Sequence, residues 1–139
     1  MFNGEFEHTL DDKGRVILPG KFRARLERLV VTKGRDGCLA VLPPDEFERV
    51  SASLTERGAA AREMQRFFIG GASEQSLDKQ GRVVIPETLR RYAGLERDVT
   101  VLGVGPRLEI WDRAKWIAKQ GEIDQNFAQL SEAHPDLPI

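Results

Sequence analysis

The sequence predicts an α+β fold in which two tandem copies of one small module close around a common β-barrel with flanking helices, and three observations carry this expectation. The first is an internal repeat. Shifted by 67 residues, EHTLDDKGRVILPGKFR (Glu7 to Arg23) lies on EQSLDKQGRVVIPETLR (Glu74 to Arg90) with eight of seventeen positions identical, and self-similarity at a fixed period marks a duplicated structural unit. The second is a further match at an offset of 69, where GRDGCLAVLPPDEF (Gly34 to Phe47) lies on GVGPRLEIWDRAKW (Gly103 to Trp116), with Gly34/Gly103, Leu39/Leu108, Val41/Ile110 and Phe47/Trp116 in register. The third is the texture of each copy, short β-rich runs around one short helical stretch. A unit of about 45 residues built from short strands buries too little surface alone, so two copies must share a core.

The first module spans residues 4–49, a helical connector 50–70, the second module 71–116, and a helix start with an acidic tail 117–139. In each module a short strand ends at Asp11 or Asp78, DDKG or DKQG supplies a turn, and RVILP or RVVIP continues as a second strand. Gly14 and Gly81 provide the positive φ that a tight hairpin needs. Pro19 and Pro86 close that strand where a helix can start. GKFRARLERL, with Phe22, Leu26 and Leu29 at helical spacing, and ETLRRYAGL, with Leu89 and Tyr92, then read as short amphipathic helices. VVTKG with CLAVLP, and VTVLG with RLEIW, are strand pairs joined by glycine-containing loops. Between the modules, PPDEFERVSASLTERGAAAREMQRFF reads as a helical hairpin packed across both, with Asp45 as N-cap and Gly58 as the interruption. Residues 120–139 hold four acidic residues and no Lys or Arg. They read as weakly structured, with the terminal prolines excluding helix at the end.

Composition narrows the function. Hydrophobic residues make up 40% and charged residues 31%, which predicts a packed globular chain rather than a disordered one. No apolar run approaches the length of a membrane span, and MFNGEFEHTL has neither the basic start nor the apolar stretch of a secretory signal, so a cytoplasmic location is expected. One cysteine, Cys38, excludes an internal disulfide framework, and two histidines, His8 and His134, leave no Cys/His metal spacing. No metal or other cofactor and no small-molecule substrate are expected. The net charge of −1 argues at first against a nucleic-acid partner. Residues 1–119, however, carry 21 basic against 18 acidic residues, a net of +3, and residues 120–139 carry −4.

The duplicated Asp-x-x-x-Arg element admits two readings. Asp11 with Arg15, and Asp78 with Arg82, can pair across a hairpin turn. The arginines can also head a basic surface, because period-2 alternation puts Val16 and Leu18 on one face and Arg15 and Ile17 on the other. Leu10 to Arg25 holds Lys13, Arg15, Lys21, Arg23 and Arg25 against Asp11 and Asp12, and Leu77 to Tyr92 holds Lys79, Arg82, Arg90 and Arg91 against Asp78 and Glu87. Arginine outnumbers lysine two to one there. Its planar guanidinium can clamp a phosphate or the O6/N7 edge of guanine with two hydrogen bonds.

LDDKGRVILPGKFR and LDKQGRVVIPETLR resemble the signature of the SpoVT/AbrB swapped-hairpin DNA-binding domains. Two copies in a chain of this length, with MFNGEFEHTLDDKGR at the start, FFIGGASEQSLDKQGR before the second copy and LEIWDRAKW after it, resemble the MraZ family of bacterial transcriptional regulators over about residues 1–119. That resemblance implies a swapped-hairpin or double-psi-like β-barrel, assembly into a homo-oligomeric ring, and a nucleoid-associated regulator that binds G-rich direct repeats in the promoter of its own division and cell-wall operon, usually as a repressor. It places Arg15 and Arg82 on the DNA-facing surface, with Arg23, Arg90 and Arg91 as further contacts and Lys13, Lys21 and Lys79 as the basic surround. Asp11, Gly14, Asp78 and Gly81 then shape the motif. The first copy has Ala24 after Arg23 where such domains often carry two adjacent basic residues, which implies a weaker contact at that position.

An enzyme is the competing class. Cys38 stands at a strand start with no motif-linked base, and Asp11 and Asp12 are adjacent and point to opposite faces of any strand, so no catalytic residues are expected. GRDG and GVG have no helix start behind them, unlike a phosphate-cradling loop. His8 and Gln75 occupy equivalent positions, which makes His8 a polar group on the DNA side. An antitoxin-type interaction module is the remaining alternative, and the acidic tail would be its partner-binding segment.

Overall fold

The computed structural model describes residues 1–139 as eight strands and four α-helices, an α+β arrangement with two interleaved modules. The strands are β1 (Phe2–Thr9), β2 (Arg15–Ile17), β3 (Arg28–Lys33), β4 (Leu39–Leu42), β5 (Ser73–Ser76), β6 (Arg82–Val84), β7 (Asp98–Gly105) and β8 (Arg107–Asp112). The helices are α1 (Pro44–Glu56), α2 (Arg62–Phe68), α3 (Glu87–Ala93) and α4 (Arg113–Ala133). A six-stranded antiparallel sheet has the order β1-β7-β8-β4-β3-β5, and β2 and β6 form a separate two-stranded ribbon.

The order encodes an approximate internal two-fold. Reversing it exchanges β1 with β5, β7 with β3 and β8 with β4, which are the strands the sequence repeat equates. Val16 faces Val83 in the ribbon and Ala40 faces Glu109 across β4 and β8, so the equivalent residues meet at the pseudo-axis. Neither module is complete in itself. β1 of the first module pairs along eight residues with β7 of the second, and β5 of the second pairs with β3 of the first. The sheet does not close, since β1 and β5 are its edges. The expected shared core is present: Val16, Leu18, Leu29, Val31, Leu39 and Val41 pack with Val83, Ile85, Leu89, Val99, Leu108 and Ile110, all essentially inaccessible to solvent.

Several local expectations need correction. In the first module GKFRARLERL is not an α-helix but a 3₁₀ segment over Gly20–Arg25. It opens on a glycine with no acidic residue in its first turn, and Leu29 of the supposed helical face is buried inside β3. The second copy has Glu87 at the start and Gly94 in the left-handed conformation at the end, and it forms the α-helix. Asp45 is not an N-cap. Helix α1 begins at Pro44, inside the first module as drawn from sequence, and Asp45 sits in its first turn, where its charge favours the helix N-terminus. Helices α1 and α2 do form the expected hairpin, broken at Gly58. Phe47 stacks on Phe68 at 5.3 Å, and Phe67 meets Tyr92 of the second module edge-on at 5.6 Å. The C-terminal segment departs most from expectation. It is helical to Ala133 rather than weakly structured, because α4 starts with the Asp112 carboxylate accepting the Lys115 amide N–H at 3.1 Å and meets no proline before Pro135. No helix is long and apolar enough to cross a membrane.

Candidate functional site

The ribbon is the place where the duplicated motifs converge. Antiparallel pairing sets Arg15 opposite Val84 and Ile17 opposite Arg82, and side chains directly opposite one another share a face. One face therefore carries Val16 and Val83, both fully buried, and the other carries Arg15, Ile17, Arg82 and Val84. Ile17 and Val84 are 42% and 47% exposed, an apolar centre between two guanidinium groups. Strand geometry puts the two arginine Cα atoms about 8 Å apart on the diagonal.

Each arginine is aimed by its own aspartate. Asp11 Oδ1 accepts the backbone N–H groups of Lys13 at 2.9 Å and Arg15 at 2.8 Å, and its Oδ2 accepts Arg15 Nε at 2.7 Å. Asp78 repeats this with Gln80 at 2.9 Å, Arg82 at 2.8 Å and Arg82 Nε at 2.6 Å. The backbone N–H of Arg15 or Arg82, reinforced by its guanidinium, holds each carboxyl below the ordinary aspartate range. The aspartate takes the Nε–H, and the two arginine side chains, on the face of the ribbon opposite buried Val16 and Val83, are 26% and 27% exposed. The terminal amino groups of Arg15 have no protein partner, and Arg82 Nη2 makes one long contact of 3.3 Å to Gln80 Oε1. The two sequence readings of the motif are thus compatible, since the pairing across the turn is what orients the arginine.

Arg23 and Arg90 stand differently. Arg23 Nε donates to the Leu18 carbonyl at 3.0 Å and Arg90 Nη1 to the Ile85 carbonyl at 2.9 Å. Each also crosses to the other module: Arg23 lies over Gly81 and Arg90 over Gly14, in the space a Cβ would occupy. Both glycines have φ near +76°, so the turn needs glycine for its backbone and for its neighbour. Lys21 is drawn to the far end of β1, with Nζ donating to Asn3 Oδ1 at 3.0 Å and sitting about 5 Å from the Phe6 and Phe22 rings. Arg91 is exposed and paired with Glu87. Lys13 and Lys79 lie exposed in the two turns.

Two features escaped sequence reasoning. Gln75 clasps the outer edge of β6, its Oε1 accepting the Val84 N–H at 2.9 Å and its Nε2 donating to the Val84 carbonyl at 2.6 Å. The first copy has His8 at that position, and its imidazole is held below its ordinary pKa by burial and then by the charges of Arg23 and Arg113. Arg113 also ties β1 to β7, with Nη2 donating to the His8 and Val99 carbonyls. The non-equivalence of His8 and Gln75 is visible in the aligned repeats; the clasp is not, because it depends on which strand edge stays open. Cys38 is buried, its thiol is pushed up to about 12 chiefly by burial, and Sγ donates to the Arg35 carbonyl at 3.0 Å, so it presents no thiolate. No group of three or more His, Cys, Asp or Glu side chains is placed to hold a metal ion.

Fold and site together define a class of duplicated α+β protein in which two hairpin motifs interleave to present a pair of aspartate-braced arginines on one ribbon. The family model described as "MraZ protein, putative antitoxin-like" matches residues 1–67 and again 68–136, one match per module. Proteins named "Transcriptional regulator MraZ" align along the whole chain: that of Acetivibrio thermocellus is 43% identical over all of both chains, that of Desulforamulus reducens 45% over 99% of each, and that of Kineococcus radiotolerans 47% over 95% of each. This chain belongs to the MraZ family of transcriptional regulators.

Proposed function

We propose that the protein is a sequence-specific DNA-binding regulator that acts without catalysis, reading promoter DNA through the Arg15/Arg82 face of the β2–β6 ribbon. The observation that carries this reading is the pair of part-exposed arginine side chains on one face of the ribbon, each held by an aspartate across its turn and flanked by exposed Ile17 and Val84. A two-stranded ribbon fits the major groove. There a fixed arginine can donate two hydrogen bonds to guanine, and an aliphatic side chain can contact a thymine methyl. Lys13 and Lys79 in the turns, with the exposed Arg91, would meet the phosphates on either side. Arg23 and Arg90 would act mainly as positioning groups, since each already spends an N–H on a carbonyl and braces the opposite turn. Lys21, held at the end of β1, is the weakest of the expected contacts.

We read the interleaved hairpins as the core of a swapped-hairpin barrel and the working form as a ring. Its subunits would engage successive G-rich direct repeats spaced about one helical turn, roughly 10 bp, upstream of the protein's own operon, where it would repress. Binding through several weak contacts at once supplies the affinity a three-residue ribbon lacks. The location would be cytoplasmic and nucleoid-associated. The family's antitoxin-like description favours a second reading, a toxin-neutralising module; the helical rather than extended C-terminal segment weighs against it.

Footprinting of purified protein on the DNA upstream of its own gene tests the proposal. Protection of G-rich repeats at a regular spacing near one helical turn is expected. Absent or unpatterned protection on that DNA overturns it.

A further inference from the structure

The two ends of the ribbon are related by the repeat but are not chemically alike. Both turns carry an aspartate, a glycine and an arginine at equivalent positions, whereas Lys13 in the first stands where the second has Gln80, and Ala24 after Arg23 stands where Arg91 follows Arg90. Because the modules interleave, Arg90 covers Gly14 of the first turn and Arg23 covers Gly81 of the second. The arginine that braces the first turn is thus followed by an exposed arginine, and the one that braces the second by an alanine.

Lys13 and Gln80 are both exposed, and each donates its backbone N–H to the aspartate of its turn at 2.9 Å, so the two side chains leave equivalent points of the backbone. Their chemistry then separates them. Gln80 Oε1 accepts Arg82 Nη2 at 3.3 Å. The Lys13 ammonium has no acceptor to offer Arg15, and like charges push the two apart. The contact with Arg82 settles which end of the Gln80 amide is oxygen. That oxygen keeps a second lone pair, and the Nε2–H donors beside it are not taken by any protein acceptor.

We propose that Gln80 is a specificity-determining residue of the DNA site, reading an adenine on the base step next to the guanine that Arg82 takes, and that the ribbon therefore binds DNA in one direction. This inference rests on the DNA-reading function proposed above and names the residue that would give it polarity. In the major groove adenine offers N7 as acceptor and N6–H as donor, the pair that a glutamine amide meets with two hydrogen bonds, while guanine offers two acceptors to arginine. The 3.3 Å between Gln80 Oε1 and Arg82 Nη2 is close to the rise of about 3.4 Å between neighbouring nucleotides, so two side chains in contact can reach two stacked base edges. Lysine has no acceptor for the adenine N6–H. The Lys13–Arg15 end therefore selects guanine alone, with Lys13 and Arg91 on phosphates, and the Gln80–Arg82 end tells adenine from guanine.

The test measures binding of the protein to duplexes that span the protected repeats upstream of its own gene, with one base-pair position at a time replaced by each alternative in every repeat. The wild type should prefer A·T over G·C by about fivefold or more at one position adjoining a required G·C pair. Gln80→Lys, which installs the residue of the first turn, should lose that preference and keep the guanine requirements, and Gln80→Ala should lose it too. Lys13→Gln should gain an adenine preference next to the guanine that Arg15 reads. Each exchange between Lys13 and Gln80 places a side chain that the other turn already accommodates, and thermal melting checks that the fold is kept. A wild type with no such adenine position, an unchanged base profile in the Gln80 variants, affinity lost equally at every position, or no gain in Lys13→Gln overturns the inference and leaves the DNA-reading ribbon standing. A wild type with no preference for its own upstream DNA overturns both.

Discussion

At the scale of the residue, Asp11 and Asp78 convert two flexible side chains into fixed ones. Each carboxylate takes two backbone N–H groups and the arginine Nε–H, so in the proposed DNA contact part of the arginine's ordering would already be done. Replacing Arg15 by alanine should cost about 1–3 kcal/mol of sequence discrimination per contact, the value of one bidentate base pair contact. Arg15→Lys should fail nearly as badly, because an ammonium cannot present the planar fork. Competition binding with matched and mismatched promoter DNA checks both. The turn itself predicts a stability effect. Gly14→Ala places a Cβ on the Arg90 guanidinium at φ +76° and should destabilise the fold by about 1–2 kcal/mol, read from chemical denaturation. His8 supplies a pH dependence. Its folded pKa lies below the ordinary 6.5, so the unfolded chain takes up the proton first and stability falls as pH drops below 6.5. His8→Gln, which installs the residue of the second copy, should flatten that part of a melting-temperature profile against pH.

At the scale of the element, the β2–β6 ribbon is three residues a side and could not persist alone. It is held from beneath by Val16, Val83, Leu18 and Ile85 in the common core, at its ends by Arg23 and Arg90 reaching across to the opposite turns, and along one edge by Gln75. Gln75→Ala should lose the β6 edge clasp, cost about 1 kcal/mol in stability and weaken DNA binding without changing oligomer size; calorimetry and light scattering together check it. The hairpin turns, the strand pairs and the helical connector were legible in the sequence because glycine, proline and period-2 alternation report local geometry. The exchange of partners was not, since nothing local in RVI or RVV says that each strand pairs with the other copy rather than folding back in its own. The first-module helix was misread for a related reason. Phe22, Leu26 and Leu29 are all buried, but Leu29 reaches the core from a strand, and burial alone does not distinguish the two periods.

At the scale of the whole molecule, duplication has put an approximate two-fold inside one chain and left its two ends unequal. The first module's terminal helix continues into α2 and is covered, whereas the second ends in α4 with an acidic, exposed apolar stripe. The near-zero net charge hides this division between a basic body and an acidic C-terminal segment, and the asymmetry is more informative than the total. The paired arginines were legible as candidates from the repeat; that they lie on one face about 8 Å apart follows only from the antiparallel register. The most direct test of the ribbon as the DNA-reading surface is a salt titration of binding to the DNA upstream of the protein's own gene. It compares the wild type with an Arg15→Ala/Arg82→Ala double variant shown by light scattering and thermal melting to keep its size and fold. The wild type should prefer that DNA to random sequence, with log K falling steeply and linearly against log salt. The double variant should lose the preference and keep at most a weak residual affinity for any DNA. Equal affinity and equal preference in the two proteins would contradict the account.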